Sequence, residues 1–319
     1  MKRIISIVLA VALVFALAAC GGASGTKMTM GTGGTSGTYY GYGGVLGQYI
    51  TNNAGVGVTV VSTDGSKANF LGIDAGNYQL GTVQSDVLAY AWEGTRSFES
   101  EGKVDSFRVV AGLYAEAVQL VTMDPEIKSV ADLKGKSVSI GAPGSGVYFN
   151  AVDILTAAGL TEKDINAQYQ SFADSADALK DGKIDAAFIV AGPPTPAITE
   201  LCTTNDAYLV PIDGEIAEKL MAECPFYTVH DIPAGTYEGQ TEDVKTVTVK
   251  ATLIVSADAS EEDVYKLTAA IFDNAEAITA ENAKGAELSI ENATSGMAAP
   301  FHSGAAKYFA EKGVEVPVN

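Results

Sequence analysis

One order of elements occurs twice along this chain: a β-rich run, a glycine-rich loop and a helical stretch, then a strand, a helix and a third strand. In the first series Met28–Gly31 reads as a strand, Tyr39–Asn53 as a helix with Tyr42, Val45, Leu46 and Tyr49 on one face, and Gly57–Ser62 as a strand. Ser66–Gly76 (helix), Leu80–Val83 (strand) and Asp86–Trp92 (helix) complete it. In the second series Ser137–Gly141, Ala167–Ser171 and Ala186–Val190 read as strands, with helices at Val147–Ala158 and Ser175–Lys180. Strands alternating with helices predict α/β architecture. Further strands are expected at Phe107–Leu113, Val118–Met123 and Thr246–Ser256. A short helix with a serine–acid capping pair is expected at Ser129–Asp132, and a long helix at Glu261–Ala283. At 319 residues the chain suits two domains. Two lobes are therefore expected, lobe I from 28–117 and 250–319 and lobe II from 118–249.

The two glycine loops occupy equivalent places. The first runs Gly31-Thr-Gly-Gly-Thr-Ser-Gly-Thr38 before Tyr39, the second Gly141-Ala-Pro-Gly-Ser-Gly146. Each joins a strand to a helix, where bare backbone approaches a ligand closely and the helix amino end offers free N–H groups and a positive dipole. A flexible turn explains either loop alone; the pair favours a ligand between the lobes. Three more polar clusters follow strands: Ser62–Ser66, Gln84-Ser85-Asp86 and Pro194-Thr195. Ligands of open α/β sheets bind at that rim. Ser85 or Asp86 also suits a helix cap, which leaves Gln84 unexplained.

Enzyme readings of these loops fail on detail. Neither loop carries the lysine of a phosphate-binding Walker loop, and the GxGxxG spacing breaks at its third position. Ser145 lacks the G-x-S-x-G elbow. The chain has two histidines, His230 in an expected loop and His302 near the carboxyl end, and both read as structural. With so little His and Cys, no metal or cofactor is expected.

Charge narrows the partners further. Twenty basic residues stand against 39 acidic ones, a net charge of −19, and the only arginines are Arg3, Arg96 and Arg108. Nucleic-acid binding needs a basic surface and is excluded as an expectation. At the amino end Lys2 and Arg3 precede an uncharged apolar run, Ile4–Ala19, that ends in Leu17-Ala-Ala-Cys20. This is the pattern of an export signal, too short for the roughly 20 residues of a membrane span. The last four residues resemble a bacterial lipobox, with Cys20 as the lipidated first residue of the mature protein and 20–27 as a tether. Removing residues 1–19 takes Lys2 and Arg3 and no acid, leaving 18 basic residues against 39 acidic and a charge of −21. Outside the cytoplasm a Cys202–Cys224 disulfide is permitted, and spacing leaves open whether it forms.

Several long blocks resemble the TAXI-type solute-binding proteins of TRAP transporters: GTGGTSGTYYGYGGVLGQYI (31–50), VQSDVLAYAWEG (83–94), LYAEAVQLV (113–121), IKSVADLKGKSVSIGAPGSG (127–146), SFADSADALKDGKIDAAFIVAGPPTPAITEL (171–201), CPFYTVHDIPAGTYEGQ (224–240) and FHSGAAKYFAEKGV (301–314). The resemblance spans about 28–313. One departure is HSGAAKYF, where that family more often has proline after the histidine. The resemblance implies a type II periplasmic-binding-protein-like fold, two α/β lobes with a ligand cleft at the hinge. It implies an extracytoplasmic, lipid-anchored, non-enzymatic receptor that closes on a small carboxylate or amino acid, such as glutamate or glutamine, and docks to TRAP membrane subunits. An ABC-type binding lipoprotein of the same fold is the alternative. Mapped onto this chain, the implied ligand contacts are Gly33, Thr35, Thr38, Tyr39, Ser66, Gln84, Ser85, Ser145, Gly146, Pro194 and Thr195. Asp86 or Glu116 would face an amino group.

Overall fold

A computed structural model describes residues 25–318. The expected export signal at 1–19 and the expected lipidation site Cys20 lie outside the described residues. The sheet strands are β1 (Lys27–Gly31), β2 (Gly57–Val61), β3 (Leu80–Gln84), β4 (Phe107–Thr122), β5 (Ser137–Ser139), β6 (Asn166–Gln168), β7 (Ala186–Ala191), β8 (Tyr208–Val210), β9 (Thr228–Ile232) and β10 (Val244–Ser256). Those that matter for the site lead into helices α1 (Thr38–Ala54), α2 (Ser66–Asp74), α3 (Ser85–Glu93), α4 (Val147–Ala157), α5 (Phe172–Lys180) and α6 (Pro196–Thr204). Next come α7 (Gly214–Glu223), α8 (Glu261–Phe272), α9 (Ala275–Glu281), α10 (Ile290–Thr294) and α11 (Ser303–Glu311).

Pairing makes the two series equivalent in space. Strands β2-β1-β3-β10-β4 are neighbours, with β10 antiparallel to β3 and β4. Strands β6-β5-β7-β4-β8 repeat that order, with β4 as the antiparallel member. In each case the second strand lies outermost, the first inside it, then the third, then a strand lent by the other half of the chain. The long strands β4 and β10 serve both halves. They pair with each other at Val249↔Glu116 and Lys250↔Ala115, and the register shifts between Lys250 and Thr252.

The buried apolar residues divide along the same line. One core runs from Met28 to Tyr114 and resumes from Ala251 to Phe309. Two others lie within 117–249, around Leu120, Ile154 and Phe188 and around Val121, Ile189 and Leu201. Burial at about 25 cal/mol per Å² of apolar area is the main force holding each. Here it is concentrated in fully covered side chains such as Leu46, Phe70, Phe107 and Phe301.

Three expectations need correction, and one open question is answered. Phe107–Leu113 and Val118–Met123 are one strand, because Ala115–Ala117 pairs with β10 and the Ala115 N–H donates to Glu287 Oε2 at 2.8 Å. The expected helix over 261–283 breaks at Asp273-Asn274, where Asn274 Nδ2 donates to the Ala270 carbonyl at 2.9 Å and so competes with the next helical turn. His230 lies within β9, opposite Thr246, rather than in a loop. Cys202 and Cys224 are free thiols; they are buried in different cores and no disulfide joins them. His302 caps α11: its Nδ1 accepts from the Gly304 N–H at 3.2 Å, and its Nε2 lies 3.0 Å from the Ala259 carbonyl. Among the described residues no helix is long and apolar enough to cross a membrane.

Candidate functional site

A cavity of about 590 Å³ opens where the two series meet, within the range that holds small molecules. Five helices begin at its wall: α5, through Ser171 and Phe172, and four others. The residues preceding α1, α2, α3 and α4 are Gly37, Gly65, Gln84 and Gly146, and all four line the cavity. None of the four caps its helix with a side chain. The first turn of an α-helix carries N–H groups with no partner inside the helix, so these ends bring positive dipole to one space; the Ala68 N–H of α2 donates to the Gly144 carbonyl at 3.4 Å, and the Val87 N–H of α3 bonds the Asp86 carboxyl. Hydroxyls of Thr35, Ser36, Thr38, Ser62, Thr63, Ser66 and Ser145 surround them.

The charged lining residues are two acids, Asp64 and Glu116; no Lys, Arg or His is among them. Glu116 comes from the stretch of β4 that pairs with β10, and it is 2% exposed. Tyr39 Oη donates to its Oε2 at 2.5 Å. Burial pushes the Glu116 carboxyl well above the ordinary range, the phenol bond pulls it back, and nearby Asp86 adds to the rise. Burial likewise pushes the Tyr39 phenol up, with Glu116 adding to it. The wall thus combines helix amino ends and hydroxyls with a buried acid that keeps one oxygen free of Tyr39.

Glycine is required at Gly141, behind the wall, and at the lining position Gly146. Gly141 has φ +95°, and a Cβ there would also lie 2.7 Å from Val147 Cβ. A Cβ on Gly146 would overlap the Gln84 side-chain amide. Gln84 Nε2 donates to Asn150 Oδ1 at 3.0 Å, which fixes the amide across the cleft.

Of the residues implied from sequence, Gly33, Thr35, Thr38, Tyr39, Ser66, Gln84, Ser145 and Gly146 line this cavity. Ser85, Pro194 and Thr195 do not. Ser85 Oγ accepts from the Lys250 N–H at 3.0 Å and ties α3 to β10. Thr195 is fully buried; its Oγ1 accepts from Gln119 Nε2 at 2.9 Å and its N–H donates to Tyr237 Oη at 2.8 Å. Pro194 is exposed. This fifth loop instead braces the first. Thr38 Oγ1 donates to the Gly192 carbonyl at 2.7 Å, and the Ala197 N–H to the Ser36 carbonyl at 3.1 Å.

Sequence reasoning missed Gln170, Ser171 and Phe172, which bring the start of α5 to the wall. The repeat held the signal: the β6–α5 loop is the counterpart of Ser62–Ser66 between β2 and α2. Ser145 Oγ donates to the Ala142 carbonyl at 2.7 Å, and His302 is engaged elsewhere, so no general base serves this serine.

The fold is similar to that of several solved structures. A Bordetella bronchiseptica RB50 protein matches at 18% identity over 90% of this chain and 89% of that one, with a TM-score of 0.55. PhnD1 from Prochlorococcus marinus (MIT 9301), in complex with methylphosphonate, matches at 13% identity over 78% and 84%, with a TM-score of 0.52. A binding component of an ABC phosphonate transporter from Pseudomonas aeruginosa matches at 14% over 81% and 79%, also with a TM-score of 0.52. The two α/β lobes, their exchanged strands and the cleft between them make a type II periplasmic-binding-protein-like fold. The chain belongs to the NMT1-like family, whose model matches residues 30–313. Family and fold are those of non-catalytic solute-binding proteins.

Proposed function

We infer that this protein captures a small solute with an anionic end and an amino group, and presents it to a membrane transporter. The observation that carries the reading is the cavity's polarity: four helix amino ends without side-chain caps, no basic side chain, and Glu116 buried in the wall. The helix ends and hydroxyls suit a carboxylate, and Glu116 with Tyr39 suits a protonated amine. An amino acid of the glutamate or glutamine type has both groups. In this reading Gly33, Thr35, Thr38, Tyr39, Ser66, Gln84, Ser145 and Gly146 contact the solute. Ser85, Pro194 and Thr195 brace the loops behind it.

Lobe I (28–117 and 250–319) and lobe II (118–249) then close about the paired segments Ala115–Val118 and Lys250–Thr252. The partition of the apolar cores and the register shift after Lys250 support that hinge. The leader 1–19 and a lipid on Cys20 would hold the receptor outside the cytoplasm at the membrane surface.

Two transporter classes compete. Neighbours named as ABC-transporter components favour an ABC permease. The sequence blocks resembling TAXI-type proteins favour TRAP subunits. Co-purification of the receptor with permease subunits from its source membrane separates them.

The solute reading is tested by thermal shift of the mature protein against amino acids, dicarboxylates, oxo acids and alkylphosphonates. A ligand at 100 times its Kd stabilises by about 2.7 kcal/mol. No stabilisation by any member would sink the reading, and a response confined to amine-free anions would remove Glu116 from the recognition role.

A further inference from the structure

Gln84 belongs to two sites at once. It lines the cavity, and it also opens a buried polar cluster that joins the two lobes. Asn150 Oδ1 accepts from Gln84. Asn150 Nδ2 donates to Asp86 Oδ2 at 2.9 Å and lies 2.6 Å from Tyr227 Oη. Tyr227 Oη reaches Asp153 Oδ2 at 3.5 Å, and Arg96 pairs with Asp153. Gln84, Asp86 and Arg96 come from segment 84–96. Asn150, Asp153 and Tyr227 come from α4 and the loop before β9. The cluster therefore forms only when the two parts of the chain meet.

Its accounts of charge and donors do not balance. Asp86 and Asp153 are two carboxylates, and the single guanidinium is committed to Asp153. Asp86 and Asn150 are fully buried. Gln84 Oε1 and Asp86 Oδ1 are both buried acceptors with no hydrogen-bond partner among the described residues. Leaving such groups unmatched costs free energy, and supplying a donor removes the cost.

We propose that closing the cleft takes up one proton from solvent at the Asp86 carboxyl, so that closure, and with it solute affinity, falls as pH rises through neutrality. The inference rests on the reading of the molecule as a two-lobed receptor that closes. In the closed arrangement burial raises the Asp86 pKa to about 7, and the Asp153 charge adds to the rise; bonds from the Val87 backbone and from Asn150 oppose it. The other groups facing this carboxyl do not supply the missing charge. Tyr90 and Tyr227 are pushed above their ordinary value by burial and stay neutral, and Glu116 is itself an acid pushed up by burial. When the lobes part, Asp86 loses Asn150, Tyr227 and Asp153 and meets water, and its pKa returns toward the carboxylate range. The closed form then binds the proton more tightly than the open one. Linkage makes closure weaker by about tenfold between about pH 6 and pH 8.

The test is X-ray scattering of the ligand-free mature protein between about pH 5.5 and 8.5, repeated with L-glutamate, whose charge is constant over that range. Wild type should be more compact at the acid end. Asp86→Asn should be insensitive to pH, and Glu93→Gln, at the exposed end of the same helix, should keep the wild-type response. Carbon-13 NMR of the aspartate carboxyls gives a second readout on unmutated protein: one carboxyl should titrate near neutrality. Equal pH responses in wild type and Asp86→Asn, pH-independent dimensions in wild type, or aspartates that all titrate in the ordinary range each overturn the proposal. Compaction on solute addition without any pH dependence overturns it while leaving the receptor reading intact. A wild type that no solute in the wider panel compacts or stabilises, yet whose aspartate titrates near neutrality, counts against the receptor reading and not against the proton site.

Discussion

Tyr39 Oη donates to Glu116 Oε2 at 2.5 Å, joining the first turn of α1 to the strand shared by both lobes, 77 residues away. The bond holds one carboxylate oxygen and leaves the other for a ligand. Glu116→Gln keeps the shape and removes the carboxyl that can take negative charge beside an ammonium. A hydrogen bond to a charged group is worth about 1.5–3 kcal/mol, so affinity for an amine-bearing solute should fall roughly ten- to a hundredfold. Isothermal titration of the variant checks this; unchanged affinity would remove Glu116 from recognition.

Gly146→Ala should block closure. The added methyl overlaps the Gln84 amide, which is held by Asn150. Overpacking of this kind costs about 1–3 kcal/mol, and opening the cleft relieves it. The variant should fold normally by circular dichroism, scatter as a more open particle and bind solute weakly. Wild-type affinity would show that the amide can move aside.

Asp86→Asn should change how stability depends on pH. The folded pKa is raised to about 7 from 3.8. The wild-type contribution is therefore fully present below the unfolded value and is lost as pH rises through the folded one. It falls by about 1.4 kcal/mol per pH unit across that window. Relative to the Asn variant, wild type should lose thermal stability between about pH 4 and pH 7. Parallel melting curves at all pH values would contradict the assignment.

The thiols of Cys202 and Cys224 should be unreactive in the native state and titrate as two free groups on unfolding without reductant. Both are buried, and burial pushes each thiol up. Mass spectrometry after alkylation in denaturant is the measurement. A mature protein lacking both adducts until reduced would mean that the bridge forms.

The repeat was legible because local chemistry encodes it. Glycine stops, β-branched runs and helical spacing marked β1 to β3 and β5 to β7 to within a few residues. The glycine loops could be assigned to the cavity since a strand–glycine–helix junction leaves donors exposed wherever it occurs. Elements that depend on partners were harder. The Ala115–Ala117 stretch has little strand preference of its own and is extended because β10 lies beside it. Strands β8 and β9 and helices α6, α7, α10 and α11 went unassigned; they are short, and Pro or Gly bounds several of them, as Pro233 follows β9 and Pro196 opens α6.

The sequence by itself determined two equivalent α/β series, glycine loops at matching junctions, an acidic mature chain with few histidines, and most of the cavity wall. Only the tertiary structure decided that Glu116 is buried in that wall, that Thr195 turns inward and Pro194 outward, and that Asp86 meets Asn150 and Asp153. These are relations between residues 40 or more positions apart. They follow from exchanging β4 and β10 between lobes and from burying charge where water cannot reach it, and no local spacing reports either.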